Sequence, residues 1–172
     1  MIIFSLINTN NFSLLYRLQN RDNRLFPKKW NRSYYVLTSL RNVLQRIISH
    51  PDFTFDSLLD FGCGNKPYKP LFQNKCHTYV GVDIEGNPDA DLIIENGRLP
   101  VENDSFDCVL STQVLEYVED PVLYLNEACR VLKSDGTLIL STHGLWQYHP
   151  DPTDYWRWTI DGLKKLLRKQ DL

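Results

Sequence analysis

The stretch "LLDFGCGNKPY", residues 58–68, runs a short apolar segment directly into two glycines separated by one residue. Leu58, Leu59 and Phe61 read as a buried strand, and Gly62 and Gly64 as the turn that ends it. Three readings are open at this point. The turn is the phosphate cradle of a dinucleotide enzyme, or a cradle for another adenosine-bearing cofactor, or simply a strand that turns. The residues around it decide between them.

Working outward, segments of two kinds alternate. "SLLDFG", "TYVGVDI", "ADLIIE", "SFDCVLST" and "GTLILST" read as five strands in chain order. Between the fourth and fifth, "DPVLYLNEACRVLKSDG" reads as a helix, with Asp120 as N-cap, Pro121 in the first helical position and Gly136 just past the end. Upstream, Val36, Leu37, Leu40, Val43, Leu44, Ile47 and Ile48 fall on one helical face, and Pro51 closes that helix. Strands and helices alternating at this spacing predict an α/β fold: a doubly wound, Rossmann-like parallel sheet with helices on both faces. We expect an extension over residues 1–32 and one domain over 33–172.

The chain has 172 residues, enough for one domain with one substantial core. Its 42% apolar and 23% charged composition argues against disorder, and its formal net charge of −2 gives no general pull toward nucleic acid or an anionic membrane. The extension holds a basic cluster, Arg17, Arg21, Arg24, Lys28, Lys29 and Arg32, interleaved with Tyr16, Phe26 and Trp30. A solvated extension lying over the fold is the favoured reading of it. Cys63, Cys76, Cys108 and Cys129 include no C-x-x-C pair, so no metal site is expected and reduced thiols in a cytoplasmic setting fit best. The N-terminal "MIIFSLINTNNF" has no basic flank or cleavage site, and no stretch reaches the roughly 20 apolar residues of a membrane span.

In open α/β sheets ligands bind outside the carboxyl ends of the strands. Chemistry-bearing residues gather there in this chain: Asp60-Phe61-Gly62-Cys63-Gly64 after the first strand, Asp83-Ile84-Glu85 after the second, Glu95-Asn96-Gly97 after the third and Ser111-Thr112-Gln113 after the fourth. Gly62 and Gly64 permit close backbone approach and positive φ. Asp83, roughly 20 residues after the glycines, stands where a carboxylate accepts both ribose hydroxyls of an adenosine cofactor. Ile84 can lie against adenine, and Glu95 or Asn96 can address its exocyclic amine. Two details disfavour a nicotinamide oxidoreductase. Pro67 occupies the place of the third glycine of G-x-G-x-x-G. Asp60 would also repel a pyrophosphate, whereas it suits a cofactor carrying an ammonium and a sulfonium, as S-adenosyl-L-methionine does.

The collinear set "LLDFGCG", "YVGVDIE", "LPVENDSFDCVLSTQVLEYVEDP" and "LNEACRVLKSDGTLILSTHG" resembles the class I S-adenosylmethionine-dependent methyltransferases, closest to the methyltransferase domain type 11 subfamily, over about residues 56–143. The resemblance implies that Asp60, Gly62, Cys63 and Gly64 hold the methionine end of the cofactor, Asp83 the ribose, and Ile84 with Glu95 and Asn96 the adenine. It implies that Thr112 and Gln113 line the methyl-donor pocket. Tyr117 stands where relatives often carry histidine in "LEHV". Asp104, Asp107 and Glu116 read as loop and strand-start residues, with Glu116 capping or facing solvent.

The acceptor side falls to "STHGLWQYHPDPTDYWRWT", residues 141–159, which follows the fifth strand. His143, then His149, are the candidates for contacting substrate as catalytic groups; His143, His149 and Asp151 could also ligate a metal by residue type, but no spacing demands it. The same segment reads equally well as a cover, with Asp154 and Arg157 pairing locally. Its resemblance to methyltransferases found beside glycan-assembly enzymes implies a small-molecule or glycan-related acceptor. After Thr159, an N-cap, "IDGLKKLLRKQDL" reads as an amphipathic helix. Relatives continue with two more strands, so the domain reads as C-terminally short, with the fifth strand an open edge. A fragment, a split product, a natural short form and self-association through that edge all fit. A non-catalytic cofactor-binding remnant or regulatory subunit is the competing functional reading.

Overall fold

The computed structural model describes residues 24–51, 53–150 and 153–170; Tyr16, Arg17 and Arg21 of the basic cluster and Asp151 lie outside the described residues. Five strands form one sheet: β1 (Ser57–Phe61), β2 (Thr78–Asp83), β3 (Leu92–Ile93), β4 (Phe106–Thr112) and β5 (Leu132–Ser141). Their order is β3-β2-β1-β4-β5, and every pairing is parallel. The chain winds one way from β1 to β3, then crosses back past β1 to place β4 and β5. The carboxyl ends of β1 and β4 therefore flank the switch in strand order, where such sheets bind ligands.

Helices cover both faces. α1 (Tyr34–Ile48) and the one-turn α2 (Lys69–Phe72) lie on one face, and α3 (Pro121–Val131) and α4 (Ile160–Arg168) on the other. The side-chain period of two along β1 and β4 sorts the core accordingly. Leu58, Cys108 and Leu110 pack with Leu44, Ile48 and Phe72. Leu59, Phe61 and Val109 pack with Leu125, Ala128 and Val131, and the flanks of Leu163, Leu166 and Leu167 join them. A strand buried on both faces needs an apolar run rather than an alternation, which is how "LLDF" reads.

The caps expected from the sequence form. Asp120 accepts from the N–H groups of Val122 and Leu123 at 2.9 and 3.1 Å, and Thr159 accepts from Gly162 at 3.0 Å. One boundary differs from expectation. α3 stops at Val131, not near Gly136, and β5 starts at once. Leu132 pairs with Phe106, a register shift follows, and regular pairing resumes at Thr137 opposite Cys108. Gly136 sits inside that irregular stretch rather than capping the helix. A Cβ there would meet the Leu132 side chain at 2.8 Å and the carbonyl oxygens of Lys133 and Asp107 at 2.9 and 3.1 Å. Close backbone approach, not a helix end, is what requires this glycine.

No helix among the described residues is long and apolar enough to cross a membrane. No disulfide joins the four cysteines.

Candidate functional site

The loop after β1 is built by two close approaches. Gly62 has φ +79°, and a Cβ on it would lie 2.5 Å from Val114 Cγ2, so the turn that follows β4 rests directly on the glycine loop. Beneath the loop, Gly81 of β2 leaves room for Cys63 and Lys66, whose Sγ and Cε would lie 2.9 and 2.2 Å from a Cβ at that position. The Lys66 ammonium, nine-tenths buried, reaches Asp91 Oδ1 at 2.6 Å, and Asp91 Oδ2 accepts from the Gly81 N–H at 2.7 Å. The loop is thus anchored from below. Pro67 keeps a helix from starting directly at the loop, and with Pro70 in its first turn the chain makes only the single turn of α2.

Above the loop the space is open. Gly64 has φ +50°, and a side chain there would meet nothing within 4 Å. Its N–H donates to Asp83 Oδ2 at 2.8 Å, and Asn87 bridges the same carboxylate and the Gly64 carbonyl with one amide, at 2.6 and 2.8 Å. Asp83 Oδ1 accepts from the N–H of Ile84. The neighbouring Ile84 is 53% exposed, a large apolar side chain at a strand end with an uncovered face. A half-buried carboxylate, an open glycine and an exposed isoleucine side by side fit the ribose and adenine of an adenosine cofactor. Asn87 was not singled out from the sequence; an asparagine four residues after a strand-end acid is the signal that could have found it.

Asp60 and Cys63 sit differently from Asp83. Asp60 points to the α1 face of β1, is buried, and accepts a short hydrogen bond from the Tyr79 hydroxyl. Burial pushes its carboxyl up to about 7 against the lowering effect of that bond. The Cys63 thiol is buried under the loop, and burial raises it above the ordinary thiol range. Glu95 and Asn96 are exposed, and Asn96-Gly97 form a two-residue turn with φ +51° and +76°, closed by reciprocal Glu95–Arg98 backbone hydrogen bonds. Asn96 is therefore where the left-handed turn needs it.

A second group of polar side chains is assembled where β4 and β5 end. Thr112 is buried opposite Ser141. Gln113, in the left-handed region at φ +57°, donates through Nε2 to Ser141 Oγ, while its buried Oε1 has no hydrogen-bond partner among the described residues. A 3₁₀ turn, Leu115–Tyr117, follows and carries Glu116 inward. Glu116 is fully buried, contrary to the expectation that it caps or faces solvent. The turn rolls its side chain under the end of β5, where Oε2 accepts from Thr142 Oγ1 at 2.8 Å and Oε1 lies 3.2 Å from His143 Nε2. Burial raises the carboxyl, opposed by the Thr142 hydroxyl and the backbone N–H groups of Glu116 and His143. The His143 ring stacks on Trp146 with centroids 4.9 Å apart, and burial, then the Arg157 charge, lower its basicity.

The segment after His143 divides between site and cover. Tyr155 and Trp156 donate their backbone N–H groups to the Glu116 carbonyl, Trp156 Nε1 donates to the Val118 carbonyl, and the Trp158 N–H donates to the His143 carbonyl. Arg157 pairs with Asp154, as expected, and also ties down the carbonyls of Trp146 and Gln147. His149 is exposed, with Nδ1 3.4 Å from the Tyr117 hydroxyl, and does not meet Glu116.

Residues 59–140 match a family model described as a methyltransferase domain. Over 146 residues the chain is 30% identical to a ubiquinone biosynthesis O-methyltransferase of Dinoroseobacter shibae, a match covering 67% of this chain and 59% of that one. The chain therefore spans about six-tenths of the length of that curated relative. Among solved structures, the YcgJ protein from Bacillus subtilis aligns with TM-score 0.61 and 18% identity over 75% of this chain and 67% of its own. The chain solved in complex with the Haloferax volcanii Trm112 methyltransferase activator aligns with TM-score 0.64 and 21% identity over 91% and 74%. At such identities the two structures speak to the fold.

Proposed function

We propose that this protein, whose residues 59–140 match the family model described as a methyltransferase domain, is a class I S-adenosylmethionine-dependent methyltransferase that transfers a methyl group from S-adenosyl-L-methionine to a small-molecule acceptor. The observation that carries the proposal is the open space at Gly64 beside Asp83 and the exposed Ile84, at the carboxyl ends of β1 and β2 next to the switch in strand order. The cofactor supplies a methyl group on a positively charged sulfur, already activated for displacement. The protein's own part is placement. Asp83, oriented by Gly64 and Asn87, receives the ribose hydroxyls; Ile84 lies along the adenine, with Glu95 and Asn96 at its rim. The backbone of Gly62, Cys63 and Gly64 holds the methionine end, with Asp60 beneath it, and Thr112 and Gln113 border the methyl. His143 faces the acceptor, with His149 at the outer margin. The aromatic rings of residues 146–158 favour a flat or sugar-like acceptor, glycan-related metabolites among them.

Calorimetric titration of the full chain with S-adenosylhomocysteine tests the cofactor half: binding that Asp83→Ala abolishes supports it, and no binding by well-folded protein overturns it. Labelled methyl transfer tests the other half. Tight cofactor binding with no transfer to any acceptor would return the protein to the class of non-catalytic cofactor-binding subunits.

A further inference from the structure

Charge is not spread evenly along this chain. Between Asp22 and Asp52 the sequence holds six cations, Arg24, Lys28, Lys29, Arg32, Arg41 and Arg46, and no Asp or Glu. Residues 83–127, running from the end of β2 into α3, hold twelve Asp and Glu against Arg98 alone. The basic segment, α1 with the turn before it, covers one face of the sheet, and α3 covers the other. Of the six cations only Arg41 is half-buried; the other five are exposed, and none of these five joins an ion pair among the described residues. Large apolar side chains stand between them. Trp30 and Tyr35 are each 82% exposed and Phe26 62%, and Val36 and Val43 are exposed as well. Lys28 Nζ lies 5.3 Å from the centre of the Trp30 ring, and the Arg41 guanidinium 5.6 Å from that of Phe26. At 3.6 residues per turn, Tyr35, Asn42 and Arg46 run along the line opposite the buried Leu44, with Val36 and Val43 on one flank. The core is filled from the inner side by Leu25, Leu44 and Ile48, so the outer apolar groups belong to no core.

We propose that the α1 side docks on the surface of a bilayer containing anionic lipid, with Lys28, Lys29, Arg32 and Arg46 at the phosphate headgroups and Phe26, Trp30 and Tyr35 entering the interface. The docking goes beyond methyl transfer and does not depend on it. Charge complementarity is its first ground. A net charge of −2 gives the whole chain no pull toward an anionic surface, but the field of a membrane decays within a Debye length of about 10 Å, so only the side turned toward it counts. The acids of residues 83–127 are repelled by the same surface, which selects the side that faces the lipid. The exposed rings are the second ground. A helix that merely meets water mixes both signs of charge and keeps large rings off its outer side. Trp and Tyr gain at headgroup level, where the ring leaves water while its N–H or O–H stays wet. Single-stranded nucleic acid also uses cations and stacks on rings, but it offers nothing to Val36 and Val43, whereas a bilayer interface takes apolar side chains of any shape. The helix lies on the surface and does not span it, held to the fold through Leu44 and Ile48.

The test is co-sedimentation of the full chain with vesicles of phosphatidylcholine alone and of phosphatidylcholine mixed with phosphatidylglycerol. Binding is expected to the mixed vesicles only, weakened by added salt and accompanied by a blue shift of tryptophan emission. Lys28→Gln combined with Lys29→Gln should lower the affinity roughly twentyfold, at about fivefold per charge. Trp30→Ala should lower it by about tenfold, and Trp30→Phe should remove the blue shift while keeping most of the affinity. The control pair Lys164→Gln and Lys165→Gln, exposed on α4 of the other face, should change it by less than about twofold. All the substituted side chains are exposed and none belongs to the cofactor site, so these variants keep the fold. No binding to the mixed vesicles, equal binding to both compositions, or an equal loss in the α4 pair overturns the proposal. A blue shift that survives Trp30→Phe places another tryptophan at the lipid and also overturns it. A single-stranded RNA that binds where vesicles do not, and loses affinity with Lys28→Gln and Lys29→Gln, assigns this side to nucleic acid instead.

Discussion

The carboxylate of Asp83, at the end of β2, accepts the backbone N–H of Gly64 at 2.8 Å, so the strand-end acid and the glycine loop of the neighbouring strand are locked together before any ligand arrives. Asn87 closes the same unit by donating to both partners. The lock makes the acid a preorganised acceptor rather than a mobile one, since its own rotamer is fixed by three N–H donors from Gly64, Ile84 and Asn87.

Asp83→Ala removes the cofactor contact and the lock at once. Charge-assisted hydrogen bonds contribute about 1.5–3 kcal/mol each, so affinity for S-adenosylhomocysteine is expected to fall by about a hundredfold or more. Asn87→Ala touches only the lock and should weaken binding by roughly tenfold or less. Calorimetry on the two variants checks the order; equal losses would mean that Asn87 meets the ligand itself.

The two loop glycines should fail in different ways. Gly62→Ala drives a methyl group to 2.5 Å from Val114 and strains a backbone at φ +79°, so it should cost about 2 kcal/mol or more in urea unfolding. Adding Val114→Ala should recover part of that loss. At Gly64 the methyl group enters open space, so stability should drop by only about 1 kcal/mol while cofactor affinity falls steeply. A Gly64→Ala protein that binds normally would place the cofactor elsewhere.

Buried Asp60 gives a prediction in pH. Burial, outweighing the Tyr79 hydrogen bond, raises its folded pKa to about 7 from an unfolded value of 3.8. Between those values the folded state holds a proton that the unfolded state has lost, so this group's contribution to stability falls as pH rises from about 4 to 7. Above that window the ionised carboxylate is a penalty. Asp60→Asn keeps an oxygen for Tyr79 and should stabilise the protein at pH 8 by about 1–4 kcal/mol while changing little at pH 4. Urea titrations of both proteins across that range check it; parallel curves would show that Asp60 ionises freely.

The sequence discloses the frame of this site better than its interior. Strand ends carry the readable residues because backbone alternation and the position of the sheet switch follow directly from the apolar runs, and Asp83, Gly62 and Gly64 stand where those runs stop. Glu116 was out of reach for a definite reason. It lies in a single 3₁₀ turn after β4, and one turn has no periodicity from which to tell an inward side chain from an outward one. Its partner Thr142 is 26 residues away, and only the parallel pairing of β4 with β5 brings the two together. The end of α3 was misplaced for a related reason. Gly136 resembles a helix stop locally, but Leu132 is drawn into the sheet by Phe106, a tertiary contact that overrides the local signal.

The brace under the β3–β4 connection supplies the last prediction. Arg130 of α3 donates to the carbonyls of Leu99 and Val101, to Asn103 Oδ1, and to both carboxylate oxygens of Glu127, while Glu127 Oε1 also accepts the Leu99 N–H at 2.6 Å. Five acceptors on one guanidinium fasten the loop behind the 95–98 turn to the helix. Arg130→Ala takes a hydrogen-bond donor from two carbonyls and the counter-ion from a largely buried carboxylate, and should cost about 2–4 kcal/mol. Arg130→Lys keeps the charge but cannot span the fork, and should recover less than half of the loss. Removing the acid instead, Glu127→Gln, keeps an acceptor for Leu99 and should cost less than Arg130→Ala. Urea unfolding of the three variants, with hydrogen exchange at the Leu99 amide, reads the order. If Arg130→Lys proved as stable as the unsubstituted protein, the charge alone and not the forked geometry would be holding this loop.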